Sequence, residues 1–291
     1  MKLLSNLATL SALMLISLLG LTSCGDIISD LKINADGSGS LQTTFDVGDL
    51  MGMAKGFQGM GTDSTGSTDD TMAVTTIVVP DTTAKDPMKL LIEKVTDPAY
   101  DRDLDTLMSI LSIMPDSVKA KQTNLNLAKK LSIRLVSPAK SANLTIGIIA
   151  NFDNSQQLRE IMEYMESMND KPEMMASAGP MGFQTKSFLL FDEDMKAGII
   201  KVAPIDYGSL SAQFGMSQDS TSSSEDMGMM QMMFGNSKIK SVIHVPGEVL
   251  SCTNPDAILT KDNKVLLEYN FMDVINKGSI EGFTIHFQPH K

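Results

Sequence analysis

Methionine is the residue type in this chain most able to do unusual chemistry. There are 23 Met, and two groups of them lie in Gly-rich stretches: Met51, Met53 and Met60, then Met227, Met229, Met230, Met232 and Met233. Thioethers are soft ligands that select Cu(I). Neither group has a local His or Cys, which such sites usually recruit. The same residues serve equally as packing material for irregular cores, or as adaptable apolar surfaces for a peptide, lipid or protein partner. The expectation is therefore no resident cofactor, with Cu(I) held by Met227 to Met233, Met51 and Met53 as the alternative.

Other candidates for chemistry are few. The three histidines are His244, His286 and His290. His244 and His286 fall in apolar, strand-like stretches and could form a two-His site if those strands were neighbours. Carboxylates cluster at Asp101, Asp103 and Asp105 and at Asp192-Glu193-Asp194, which read as a helix start and a hairpin turn. No HExxH, GxSxG, CxxC or Gly-rich phosphate loop occurs. The turn at Asp36-Gly37 cannot be a calcium loop. Placing Gly37 at the sixth position puts Lys32 and Thr43 where carboxylates are required. An enzyme, for example an envelope hydrolase, is thus the weakest reading.

The first thirty residues carry the strongest signal. Met-Lys is followed by an apolar run from Leu3 to Leu21 and then Leu21-Thr22-Ser23-Cys24, the order of a secretory signal with a small-residue cleavage site. These last four residues resemble the lipobox of bacterial lipoproteins. That resemblance implies a diacylglycerol on the Cys24 thiol, cleavage before it, and acylation of the new amino terminus. Residues 1–23 are then the signal peptide and 24–291 the mature protein. A bare transmembrane helix would also fit the length. Cys24 after small residues, with Gly25-Asp26 next and no basic stop-transfer cluster, favours the lipid anchor. Two or more acyl chains give stable attachment where one would be marginal. Gly25, where the resemblance would place Asp for inner-membrane retention, leans toward the outer membrane. Asp26 and Asp30 are too sparse to resemble an acidic surface-export tag, so facing the periplasm is favoured over surface exposure.

Composition narrows the partners. A net charge of −11 and a pI near 4.7 argue against nucleic acid and anionic headgroups. Absence of Trp, with only four Tyr, counts weakly against a sugar-binding surface. With Cys24 consumed by lipid, Cys252 is left unpaired and reads as a half-buried apolar residue at a strand end.

Period-two patterning places strands at 27–47 as a hairpin, and at 131–135, 144–152, 238–245, 257–270 and 280–287. Helical spacing falls on Leu104, Leu107, Met108, Leu111 and Met114, stopped by Pro115, and on 153–168, with Asp153 as cap and Leu158, Ile161, Met162, Met165 and Met168 inward. A hairpin over 188–202 turns at Asp192 to Asp194, and Pro246-Gly247 is a turn. Long polar loops, expected to be mobile, lie near 61–85 and 217–226. Hairpins mixed with a few helices predict one α+β domain with a largely antiparallel sheet. If strands 39–47 and 238–245 run antiparallel in one sheet, both Met-rich stretches emerge at the same end.

Three short-range resemblances complete the reading. The Met spacings resemble those of copper-resistance proteins. Asp followed by Ser or Thr and an apolar residue or Thr occurs around Ser64, Thr71, Thr82, Thr106, Ser117 and Ser220, and resembles the O-glycosylation motif of exported proteins in Bacteroidota-like bacteria. Ser64, Thr71, Thr82 and Ser220, in loops, are the candidate acceptors. Finally, the lipobox, the Asp36-Gly37-Ser38-Gly39-Ser40 hairpin and the late Val245-Pro246-Gly247-Glu248-Val249 turn resemble uncharacterised Bacteroidota-type exported lipoproteins and, more distantly, the LppM-type lipoprotein domain. That resemblance implies a β-rich envelope domain and brings no catalytic residue. The function expected is a membrane-anchored envelope protein with a non-enzymatic binding or structural role.

Overall fold

The computed structural model describes residues 25–46, 102–114, 116–120, 122, 124–139, 144–169, 188–208, 231 and 234–289. Fourteen strands and five helices are defined there. The strands are β1 (Ile27–Ile33), β2 (Gly39–Asp46), β3 (Leu104–Ser109), β4 (Leu131–Ser137), β5 (Thr145–Phe152), β6 (Phe191–Asp194), β7 (Ile199–Val202), β8 (Ile205–Asp206), β9 (Lys238–His244), β10 (Gly247–Cys252), β11 (Ile258–Leu259), β12 (Lys264–Asn270), β13 (Ser279–Ile280) and β14 (Phe283–Pro289). The helices are α1 (Ile110–Ile113), α2 (Asp116–Lys119), α3 (Leu125–Ala128), α4 (Ser155–Asn169) and α5 (Phe271–Lys277).

The fold is α+β and dominated by sheet. Eight strands form the large sheet in the order β11-β12-β9-β1-β2-β5-β4-β3, and four form a smaller one, β10-β14-β7-β6. Among the described residues every pairing is antiparallel except β1 with β9. Period-two alternation is what makes these strands: Leu31, Leu41, Ile133, Ile243 and Val265 are all buried while their neighbours in sequence are more exposed. Each such side chain contributes about 1.5–3 kcal/mol of burial. The buried residues of both sheets belong to one hydrophobic cluster, and Phe152 of the large sheet meets Phe191 of the small one edge to face at 5.7 Å. Helix α4 closes the core with Leu158, Ile161, Met162, Met165 and Met168, all buried as their spacing requires.

Four local expectations are corrected. Leu104 to Ser109 is strand β3, and only Ile110–Ile113 is helical. The open edge of β4 outweighs the helical spacing, because Leu104, Thr106 and Met108 can alternate inward against it while Leu107 stays 62% exposed. The residue capping α4 is Asn154, whose Oδ1 accepts from Gln157 N at 2.8 Å; Asp153 instead donates its backbone N–H to the Gln157 side chain. In the 188–202 hairpin, Asp192 to Asp194 lie in β6, and the turn comes at 195–198, where Gly198 takes a φ of 67°. Pro246 does not fold β9 back on β10; it marks a corner, since β9 belongs to the large sheet and β10 to the small one.

Candidate functional site

Most residues singled out for chemistry lie outside the described residues: Cys24, Met51, Met53, Met227, Met229, Met230, Met232, Met233, Ser64, Thr71, Thr82 and Ser220. What can be built is the ground beside them. Strands β2 and β9 flank β1, the first antiparallel to it and the second parallel, so Phe45 and Ile239 both stand beside Ile27. The chain therefore leaves β2 and enters β9 at the end of the sheet where β1 begins. The condition set for the two Met-rich stretches is met, and the chain that follows Cys24 arrives at that same end.

This end of the sheet is tightly made. A Cβ on Gly25 would fall 1.9 Å from Asp46 Cβ, so only glycine allows the approach. Asp26 Oδ1 accepts from the backbone N–H of Lys238 at 3.0 Å and Oδ2 from Lys240 Nζ at 2.5 Å. Hydrogen bonding to Asp26 raises the Lys240 ammonium above its ordinary value. Glu268 joins the network by pairing with Lys238 and standing 4.0 Å from Lys240. Beside them Phe234 stacks on Phe271 with centroids 4.9 Å apart, and Asn270 caps α5 by accepting from Met272 N at 2.9 Å. No sequence signal marks the Asp26 contacts, which join residues more than 200 positions apart.

The histidines do not meet. His244 lies on the large sheet and His286 on the small one, each on the less buried face of its strand. His244 Nε2 sits 3.2 Å from Asp30 Oδ1 but out of hydrogen-bond alignment, so neither atom has a hydrogen-bond partner among the described residues. No group of three His, Cys, Asp or Glu is placed to hold a metal among the described residues. The carboxylate clusters do structural work that solvation alone does not describe. Asp105 receives a bidentate pair from Arg134, Nε at 2.8 Å and Nη2 at 2.6 Å, which holds its carboxyl below the usual range. Asp103 accepts from Ala139 N at 2.6 Å. Asp192 pairs with Arg159, and Glu193 accepts from Ser155 N at the start of α4, so β6 is strapped to that helix.

Two further surfaces are new. A cleft of about 480 Å³ between α3 and α4 is lined by Asn124, Asn126, Glu160, Glu163, Tyr164 and Ser167. The four α4 residues follow the i, i+3, i+4, i+7 spacing of one helix face. Burial raises the Tyr164 phenol, and the Ser167 hydroxyl donates to the Tyr164 carbonyl at 2.7 Å, so the cleft presents amides, carboxylates and hydroxyls. The second surface is apolar. Edge strands β10 and β11 pack side by side, and Leu250, Ile258 and Leu259 on them are 59%, 62% and 43% exposed. Leu250 sits at a β-bulge, where the register against β14 shifts. Cys252, at the end of β10, is free and half-buried, and burial raises its thiol.

No helix among the described residues is long and apolar enough to cross a membrane. No family model and no curated protein matches the chain. Among solved structures, the folded domain of LppM from Mycobacterium tuberculosis aligns over 92% of each chain at 9% identity, with a TM-score of 0.31. A score that low does not establish a shared fold.

Proposed function

We propose that this is a lipid-anchored envelope protein with a non-enzymatic binding or structural role, carried on acylated Cys24 at the outer membrane and facing the periplasm. The observation that carries this reading is where the fold starts. Strand β1 begins three residues after Cys24 and is paired on both sides from Ile27 to Lys32, so cleavage before Cys24 removes nothing that these ladders need. The exposed Leu250, Ile258 and Leu259 on open sheet edges supply the apolar contacts that a peptide, lipid or protein partner would use. Intact mass spectrometry of the protein from its native membrane is the test. The expected mass is residues 24–291 plus acyl chains, and Cys24→Ala should abolish both the acyl mass and membrane retention. An unprocessed, unacylated amino terminus would overturn the anchor. A partner that copurifies with the native protein and is lost from Leu250→Glu/Ile258→Glu would support the binding role, and reproducible absence of any would count against it.

Convergence of β2's exit and β9's entry favours one second reading, a Cu(I) site drawn from Met51, Met53 and Met227 to Met233. Competition with bathocuproine tests it: binding no tighter than that of a variant with those Met changed to Leu would end it. Glycosylation at Ser64, Thr71, Thr82 and Ser220 is a separate proposal, and glycan mass in the same spectrum would locate it.

A further inference from the structure

We infer that Gly25 and Asp26 form a rigid clamp that holds the tether end of the large sheet against the lipid headgroups and keeps the opposite end away from them. This rests on the proposed acylation of Cys24. Gly25 packs against Asp46 so closely that a Cβ would collide with it. Asp26 is fixed from the other side by Lys238 and Lys240 at the start of β9. From Ile27 the chain is paired on both sides, with Phe45 and with Ile239. Consecutive Cα atoms are about 3.8 Å apart, so the acylated residue stands one peptide from a fixed point in the middle of an eight-stranded sheet. No length of chain remains to act as a hinge or spacer between lipid and fold.

The occupant of this face is the headgroup layer of the membrane that takes the acyl chains. Strand β1 runs away from Cys24, and its length at about 3.3 Å per residue carries the sheet's far end roughly 20 Å from the clamp. Asn236, just before β9, is exposed at the tether end; Lys261, in the connection between β11 and β12, is exposed at the far end. An added spacer would remove the constraint: twenty Gly/Ser residues give a root-mean-square reach of about 25 Å, comparable to the whole strand.

The experiment uses full-length, acylated protein in vesicles containing headgroup-labelled acceptor lipid. A donor dye is placed at Asn236→Cys or Lys261→Cys in a Cys252→Ser background, and the acyl mass is verified on each sample. Energy transfer is expected to be several-fold greater from position 236 than from 261, and a twenty-residue Gly/Ser insertion between Cys24 and Gly25 should erase most of that difference. Equal transfer from both positions in acylated protein overturns the clamp and leaves the anchor standing. A difference that survives the insertion also overturns it, because another surface would then set the orientation. Missing acyl mass overturns the anchor, and the clamp with it.

Discussion

The two ends of the large sheet are held together by different means. At the far end the two hairpin turns close on themselves. Gly37 N–H donates to Asn34 O, Ser38 O accepts from Asn34 N, and Asp36 Oδ1 accepts from Ser38 N, all within five residues. The β11–β12 connection is likewise local, with Thr260 N donating to Lys264 O at 2.9 Å. At the tether end the joins are distant in sequence. Asp26 bonds to Lys238, Phe271 N donates to Ser237 O at 2.8 Å, and Asn270 Nδ2 donates to Gly235 O. A turn that satisfies itself is independent of the rest, whereas the tether end exists only when the whole sheet does.

This contrast predicts effects of graded size. Phe271→Ala should be the largest, at about 3–5 kcal/mol, because it removes a buried ring and its stack on Phe234. Denaturant unfolding would measure it, and protection from hydrogen exchange should fall on β1, β9 and β12 together. Gly37→Ala should cost about 1–2 kcal/mol, since Gly37 has a φ of +86°. Its exchange losses should stay within 33–39; equal spread through the sheet would break the contrast. Asp26→Ala should cost about 1 kcal/mol, as both partners are about one-third exposed. A double-mutant cycle with Lys240→Met sharpens this, and a zero coupling energy would remove Asp26 from the cooperative end.

The smallest effect concerns acid. Lys264 and Thr260 hold Asp262 down at about 2 against an ordinary 3.8. The folded value is the lower one, so its stabilisation is present above pH 3.8 and is lost as pH falls through 2. Asp262→Ala should therefore differ from the parent most at neutral pH and converge with it below pH 2, read from urea midpoints across that range. A constant difference would show that the carboxylate's charge is not the source.

Much of this was legible. The hairpin at 27–46 was readable because its alternation and its Asp-Gly turn are local, as were the buried methionines of α4. The cap one residue late and the displaced turn in 188–202 show the usual limit of boundary reading, where Asp, Asn and Glu offer the backbone competing partners. Leu104 to Met114 failed for a different reason: the residues fit both periods, and only the free edge of β4, with Arg134 reaching Asp105, decides between them. Of the candidate site, Cys24 lies outside the described residues, and the contacts of Gly25 and Asp26 beside it were not legible. Gly25 looked like a sorting residue, and its packing against Asp46 depends on a strand that ends twenty residues later.

The one parallel pairing among the described residues sets an order of events. Strand β1 is made early in the chain, yet one of its two ladders waits for residues 238–244. At ~5–20 residues per second, the intervening stretch of roughly 200 residues takes on the order of 10–40 s to make. Until then the β1–β2 hairpin shows an unpaired edge, which is a template for aggregation, and a contact this remote in sequence closes slowly. A chain of this topology gains from being kept unfolded until its carboxyl-terminal strands have arrived.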